Sequence, residues 1–215
     1  MKLVIADKNY SSWSMRPWVL LKHFGIAFDE ELIEMARDDT RARMLAHSPT
    51  GRVPCLLGVA GEPVWDSLAI CETLAELHPQ QALWPADAAL RARARSVSAE
   101  MHSGFTSLRG AMPMNIREHA PGYGATPEAL ADVARVDALW RDCLANSGGP
   151  FLCGEFSIAD AMFAPVVMRF NSYVPVLSDE AQAYCARLTA LPAVAAWIAD
   201  ARSETHVIEY YRVAK

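Results

Sequence analysis

Several features are missing from these 215 residues, and each absence excludes a class of function. There is no basic excess: 20 Lys and Arg stand against 25 Asp and Glu, for a formal net charge of −5. Without a positive field to hold a phosphate backbone or an anionic membrane, neither nucleic acid nor a membrane is an expected partner. No apolar run approaches the roughly 18 residues of a membrane span. The five cysteines (Cys55, Cys71, Cys143, Cys153 and Cys185) are odd in number, scattered and contain no CxxC pair. That speaks against a disulfide framework or structural zinc and for reduced thiols. The histidines show no HxxxH spacing, so no metal site is expected. The opening Met1-Lys2-Leu3-Val4-Ile5-Ala6-Asp7 meets a charge too soon for a signal sequence, which makes a cytoplasmic location the expectation. What is present is a chain 52% hydrophobic and 21% charged, apolar enough to bury a real core. Its length suits one or two domains.

Two textures divide it. Leu3 to Ala6 is a short apolar run that reads as a buried strand, and Trp18, Leu21 and Phe24 then recur at helical spacing up to Gly25. Phe28, Glu30 and Leu32 alternate as a second strand, and Met35 to His47 suits a helix. Ser48-Pro49-Thr50-Gly51-Arg52-Val53-Pro54 is a loop, followed by a hairpin around Gly58 to Pro63. Asp66-Ser67 starts a helix carrying Ile70, Leu74 and Leu77. The order βαβαββα over residues 1–79 predicts a small mixed sheet with helices, a thioredoxin-like α/β unit. Residues 80–88 have linker character. Residues 89–215 are Ala-rich and predict an all-α domain, with helices near 89–117, 127–147, 157–171, 179–189, 192–202 and 205–212.

Three clusters could carry chemistry, and each has a plain structural reading beside the functional one. Val53-Pro54 is either an ordinary turn or a cis bond before a strand, with the Val53 backbone turned outward to pair with an extended peptide. Asp66-Ser67 is either an N-cap alone or an anion site, where free N–H groups hold a carboxylate and Asp66 accepts from an ammonium. The serines of Ser11-Ser12-Trp13-Ser14-Met15-Arg16 are either caps or hydroxyl donors to a thiolate. No His-Asp pairing lies near them that would make a hydrolytic nucleophile.

Taken together, these segments resemble the cytosolic glutathione transferase family. Tyr10 to Trp18 is similar to the serine-type first helix of the tau, theta and zeta classes, and Ser48 to Pro54 to the family's cis-proline loop. Asp66-Ser67-Leu68-Ala69-Ile70 resembles its acidic-Ser motif, and Phe156-Ser157-Ile158-Ala159-Asp160 its capping box in the helical domain. The resemblance implies glutathione as co-substrate with no permanently bound cofactor, a small hydrophobic electrophile as the second substrate, and a homodimer. It also implies site residues. Ser11, five residues before Arg16, takes the catalytic position, and Ser12 is one step closer. Val53 and Pro54 meet the cysteinyl backbone, and Asp66 and Ser67 the γ-glutamyl end. Arg52 either faces a glutathione carboxylate or is a solvated loop charge.

The chain also departs from the family. Trp13 stands where the zeta class has cysteine, which argues against maleylacetoacetate isomerase activity. No cysteine replaces Ser11 or Ser12, which argues against thiol-disulfide exchange. Pro17 suits only a helix start, placing the beginning of the first helix at Ser14 or later. On the 89–117 helix, Met101, Phe105, Leu108 and Met112 form a stripe that is either core or acceptor-site wall. His102 and Arg109 share the adjoining face, so Met101, His102, Phe105 and Arg109 are the candidate acceptor site. The rival functions are a non-catalytic binding protein on the same fold, or a glutathione-dependent isomerase, dehalogenase or peroxidase.

Overall fold

The computed structural model describes residues 1–59 and 61–213. Four strands form one mixed sheet: β1 (Lys2–Ala6), β2 (Asp29–Ile33), β3 (Cys55–Leu57) and β4 (Val64–Trp65), in the order β2-β1-β3-β4. β1 runs parallel to β2, with Lys2 opposite Asp29, and antiparallel to β3, which pairs antiparallel with β4. Three helices are interleaved, α1 (Ser12–His23), α2 (Thr40–Leu45) and α3 (Ser67–Leu77), so the expected βαβαββα order and thioredoxin-like unit are present. From Leu3 to Ala6 β1 is apolar because both of its faces are covered. Leu3 and Ile5 belong to the main core, while Val4 and Ala6 join Ile33, Met44 and Cys55 under α2.

The remainder is helical: α4 (Ala88–Ser103), α5 (Thr106–Ala111), α6 (Pro127–Ser147), α7 (Ile158–Tyr173), α8 (Asp179–Thr189) and α9 (Pro192–Ser203). The two parts share one core. α1 packs on α7 and α9, and Trp18 meets Trp197 edge-on with ring centroids 5.2 Å apart. Buried Lys8 ties the same seam through Glu30 (2.9 Å) and Asp200 (2.7 Å). Within the described residues no helix is long and apolar enough to cross a membrane.

Four sequence expectations need correction. α1 begins at Ser12, with Ser11 as N-cap, so Pro17 lies inside it and Trp13 O loses its i+4 donor. The helix expected over Met35–His47 shrinks to Thr40–Leu45. The helix expected over 89–117 breaks: Gly104 ends α4, and Phe105 turns into the left-handed region (φ 55°) before α5. Gly104 cannot be replaced freely here, since an added Cβ would stand 2.7 Å from Glu100 O. The helix expected at 205–212 is only a 3-10 turn, Glu209–Tyr211.

Candidate active site

The chain leaves β1 through a turn in which Tyr10 N and Ser11 N both donate to Asp7 O, and this delivers Ser11 to the start of α1. The Ser11 hydroxyl donates to Ser14 Oγ at 2.7 Å, and Ser14 Oγ also accepts from Ala6 N at 3.2 Å. Opposite, the Val53-Pro54 bond is cis, and the Val53 backbone makes no hydrogen bond among the described residues. Asp66 caps α3, accepting from Leu68 N at 2.9 Å, with a positive φ of 74° that is costly for a residue with a side chain. Its other carboxylate oxygen stands 3.1 Å from His102 Nε2, on α4.

These elements enclose two neighbouring cavities. One, of about 620 Å³, is lined by Val53, Pro54, Asp66, Ser67 and His102. The other, of about 560 Å³, is lined by Ser11, Ser12, Met114, Arg169 and Tyr211. Trp13, Arg52, Val53 and Arg109 border both. Of the residues expected at the site, Met101 and Phe105 do not reach either cavity. They are 1% and 7% exposed and belong to the core, as do Leu108 and Met112, so the stripe is core and not acceptor-site wall. His102 and Arg109 do arrive, from either side of that break.

Charge is the site's most distinctive property. Arg16 is buried beneath Ser67, its Nη1 donating to Ser67 Oγ at 3.3 Å and its Nε without a partner. Arg16 and Arg109 both lie over the Trp13 ring, at 4.2 and 4.9 Å from its centre. Burial first, then the positive charges of Arg169 and Arg109, lower Arg16 to about 9. Arg169 falls to about 10 through burial and then Arg109.

Sequence reasoning missed Arg169 and Tyr211, and named Ser14 only as one of the cluster's serines. For Arg169 a signal existed, an arginine inside the apolar run Ala161–Phe170 of a helix buried on every side. Tyr211 arrives through the C-terminal segment. Glu204 accepts from Lys8 N and Asn9 N, Asn115 Nδ2 donates to Tyr211 O, and the Tyr211 ring stacks on Tyr10 at 5.0 Å. A separate groove of about 730 Å³, between Arg117 and Arg202, touches none of these residues.

Comparison with known proteins agrees with this geometry. The family model for the glutathione S-transferase N-terminal domain matches residues 10–77, and that for the C-terminal domain matches 115–200. A glutathione transferase from Methylococcus capsulatus superposes with a TM-score of 0.73 at 25% identity, over 94% of this chain and 98% of that one. A Burkholderia homologue with bound glutathione gives 0.71 at 23% identity over the same shares. Among curated proteins, a probable maleylacetoacetate isomerase of Caenorhabditis elegans is 26% identical over 77% of each chain. The maleylacetoacetate isomerase of Pseudomonas aeruginosa is 35% identical, but the match covers only 54% of this chain and 55% of that protein. With both domains matched in order on a sheet and helices arranged to suit them, the chain belongs to the glutathione S-transferase family of enzymes.

Proposed function

We propose that the protein is a serine-type glutathione transferase that stabilises the glutathione thiolate and presents it to an electrophilic carbon. The observation that carries this reading is the convergence of Ser11, Ser12, Val53, Asp66 and Ser67 on two adjoining cavities. Residues 1–79 bind glutathione, residues 89–215 supply the acceptor wall, and 80–88 join them. The unpaired Val53 backbone receives the cysteinyl segment. Ser67 and the start of α3 hold the γ-glutamyl carboxylate, and Asp66 accepts from its ammonium. Arg52, bordering both cavities, faces the remaining carboxylate.

A free thiol has a pKa of about 8.5, so depressing it by about two units takes roughly 2.7 kcal/mol. A charge-assisted hydrogen bond contributes about 1.5–3 kcal/mol, and the positive end of α1 adds to it. Ser11 is the donor. When a thiolate arrives its hydroxyl turns from Ser14 toward the sulfur, and Ser14 donates to Ser11 Oγ in its place, a chain in which each bond polarises the next. The thiol proton leaves to solvent, and the sulfur forms a bond to the acceptor carbon as the leaving group takes its electron pair. Holding both reactants in adjoining compartments supplies much of the remaining rate.

Glutathione-dependent isomerisation is the second reading, supported by the names of the relatives. Against it, Trp13 occupies the zeta-class cysteine position, with its ring under two guanidiniums. Retention on immobilised glutathione followed by a conjugation screen tests the main reading; binding without turnover of any electrophile would make the protein a carrier. Sedimentation tests the homodimer that accompanies it.

A further inference from the structure

Several arginines elsewhere on the molecule have carboxylates. Arg93 pairs with Asp142, Arg95 with Glu72, Arg135 with Glu100 and Arg141 with Asp137. Arg109 and Arg169 have none within 4 Å among the described residues, and neither does Arg16 behind them. Arg109 and Arg169 are held instead by neutral carbonyls, two of them at helix ends. Arg109 Nη1 donates to Gly104 O at 3.0 Å, at the end of α4. Arg169 Nε donates to Met112 O at 2.8 Å, at the end of α5, and its Nη1 to Pro165 O at 3.0 Å. Such bonds fix each guanidinium in direction without cancelling its charge. Arg169 is only 5% exposed, yet it lines the serine-bordered cavity, which no Asp or Glu lines among the described residues. Uncompensated buried charges of one sign are destabilising, and an anion entering the cavity relieves that cost.

We propose that the acceptor is an anion: Arg169 and Arg109 grip a carboxylate on the electrophile, fixing it between the serine-bordered wall and the Met114–Tyr211 side. This rests on the glutathione transferase reading and adds the chemical class of the second substrate. Glutathione has its own contacts at Val53, Arg52, Asp66 and Ser67, which leaves Arg109 and Arg169 for the acceptor. Arg169 then determines specificity, because its planar fork accepts a carboxylate with two parallel hydrogen bonds.

The test uses 4-chloro-3-nitrobenzoate and its methyl ester. On both, the thiolate sulfur bonds to the chlorine-bearing carbon, chloride leaves with the C–Cl electron pair, and the thiol proton has gone to solvent. The expected result is a higher kcat/KM for the acid than for the ester. In Arg169→Gln the acid-to-ester ratio falls about 10- to 100-fold, as loss of a charged hydrogen bond dictates, and Arg169→Lys recovers part of it. An equal ratio in wild type and Arg169→Gln overturns the proposal. So does a weaker glutathione affinity or a raised bound-thiol pKa in Arg169→Gln with the ratio unchanged, which would assign the cluster to glutathione. Should Arg169→Gln fail to fold by circular dichroism, the same ratio in Arg109→Gln decides. Should wild type bind no glutathione, the transferase reading falls by itself. Equilibrium binding of the benzoate, followed by tryptophan fluorescence in wild type and Arg169→Gln, then decides for or against the anion site.

Discussion

At the start of α7, Asp160 is fully buried, and its two carboxylate oxygens accept from Leu152 N, Ser157 N, the Ser157 hydroxyl and Tyr184 Oη, at 2.9–3.3 Å. At the start of α3, Asp66 sits directly beside Ser67, yet its side chain is 45% exposed and has one backbone donor and His102. Both segments are aspartate–serine helix starts. One has every acceptor position filled from inside the fold; the other leaves acceptor capacity facing a cavity. The arginines divide in the same way, with surface carboxylates around Arg93 and Arg135 and none around Arg109 and Arg169. The residue type alone therefore does not mark a site. What marks it is a polar group held in place with its bonding capacity unfilled.

Breaking the filled member gives the largest expected effect. Asp160→Ala strands two buried amides and two hydroxyls, each worth about 1–3 kcal/mol when left unsatisfied. With partial relaxation, stability should fall by about 3–5 kcal/mol in urea unfolding; a loss under 1 kcal/mol would mean that the capping box is dispensable. The same carboxyl gives a pH signature. Burial pushes it up to about 6 despite its donors. Unfolded, it titrates at about 3.9. Between those values the native state keeps a proton that the unfolded state has lost. Its stabilising contribution is therefore complete below about pH 4 and is lost as pH rises through about 6. The stability of wild type minus that of Asp160→Asn should drop by about 2–3 kcal/mol from pH 4 to pH 7. A flat difference would contradict the raised pKa.

The open member predicts changes in ligand binding. Asp66→Ala removes the ammonium's partner and should weaken glutathione by about 1.5–3 kcal/mol in titration calorimetry. The rate at saturating glutathione should hold, because ground and transition states lose the contact equally. A collapse of the saturated rate at unchanged affinity would move Asp66 from binding to chemistry. Ser11→Ala should raise the bound thiol pKa by about 1–2 units, read from thiolate ultraviolet absorbance, with affinity changed only a few-fold. If Ser12→Ala moves the pKa and Ser11→Ala does not, the donor is the neighbour.

What the sequence made legible follows from the range of the forces involved. The strand–helix order, the Val53-Pro54 loop, the start of α3 and the Ser157–Asp160 box depend on neighbours within a few residues, so local pattern suffices. The break after α4 does not. Helical periodicity runs unbroken through Met101, Phe105, Leu108 and Met112, and only tertiary packing forces Phe105 to φ 55°. Met101 and Phe105 lie in the core on either side of Gly104, while Arg109, beyond that turn, lines the cavity. Arg169 and Tyr211 depend on contacts across 57 and 96 residues, with Met112 and Asn115, that no window along the chain contains.

The smallest effect is the sharpest test of the comparison, since it asks whether Asp66 is open in function as well as in geometry. His102 Nε2 stands 3.1 Å from Asp66 Oδ2, with the two side chains 27% and 45% exposed. A polar contact that solvated contributes under about 1 kcal/mol to stability. It also occupies the oxygen that the γ-glutamyl ammonium would use. His102→Ala should therefore cost less than about 1 kcal/mol in urea unfolding while tightening glutathione by up to about threefold, because the ammonium no longer has to displace another partner from that oxygen. Were glutathione instead to weaken by about tenfold or more, His102 would be a ligand contact. Asp66 would then be a filled position like Asp160, completed by the helical domain rather than left for the substrate.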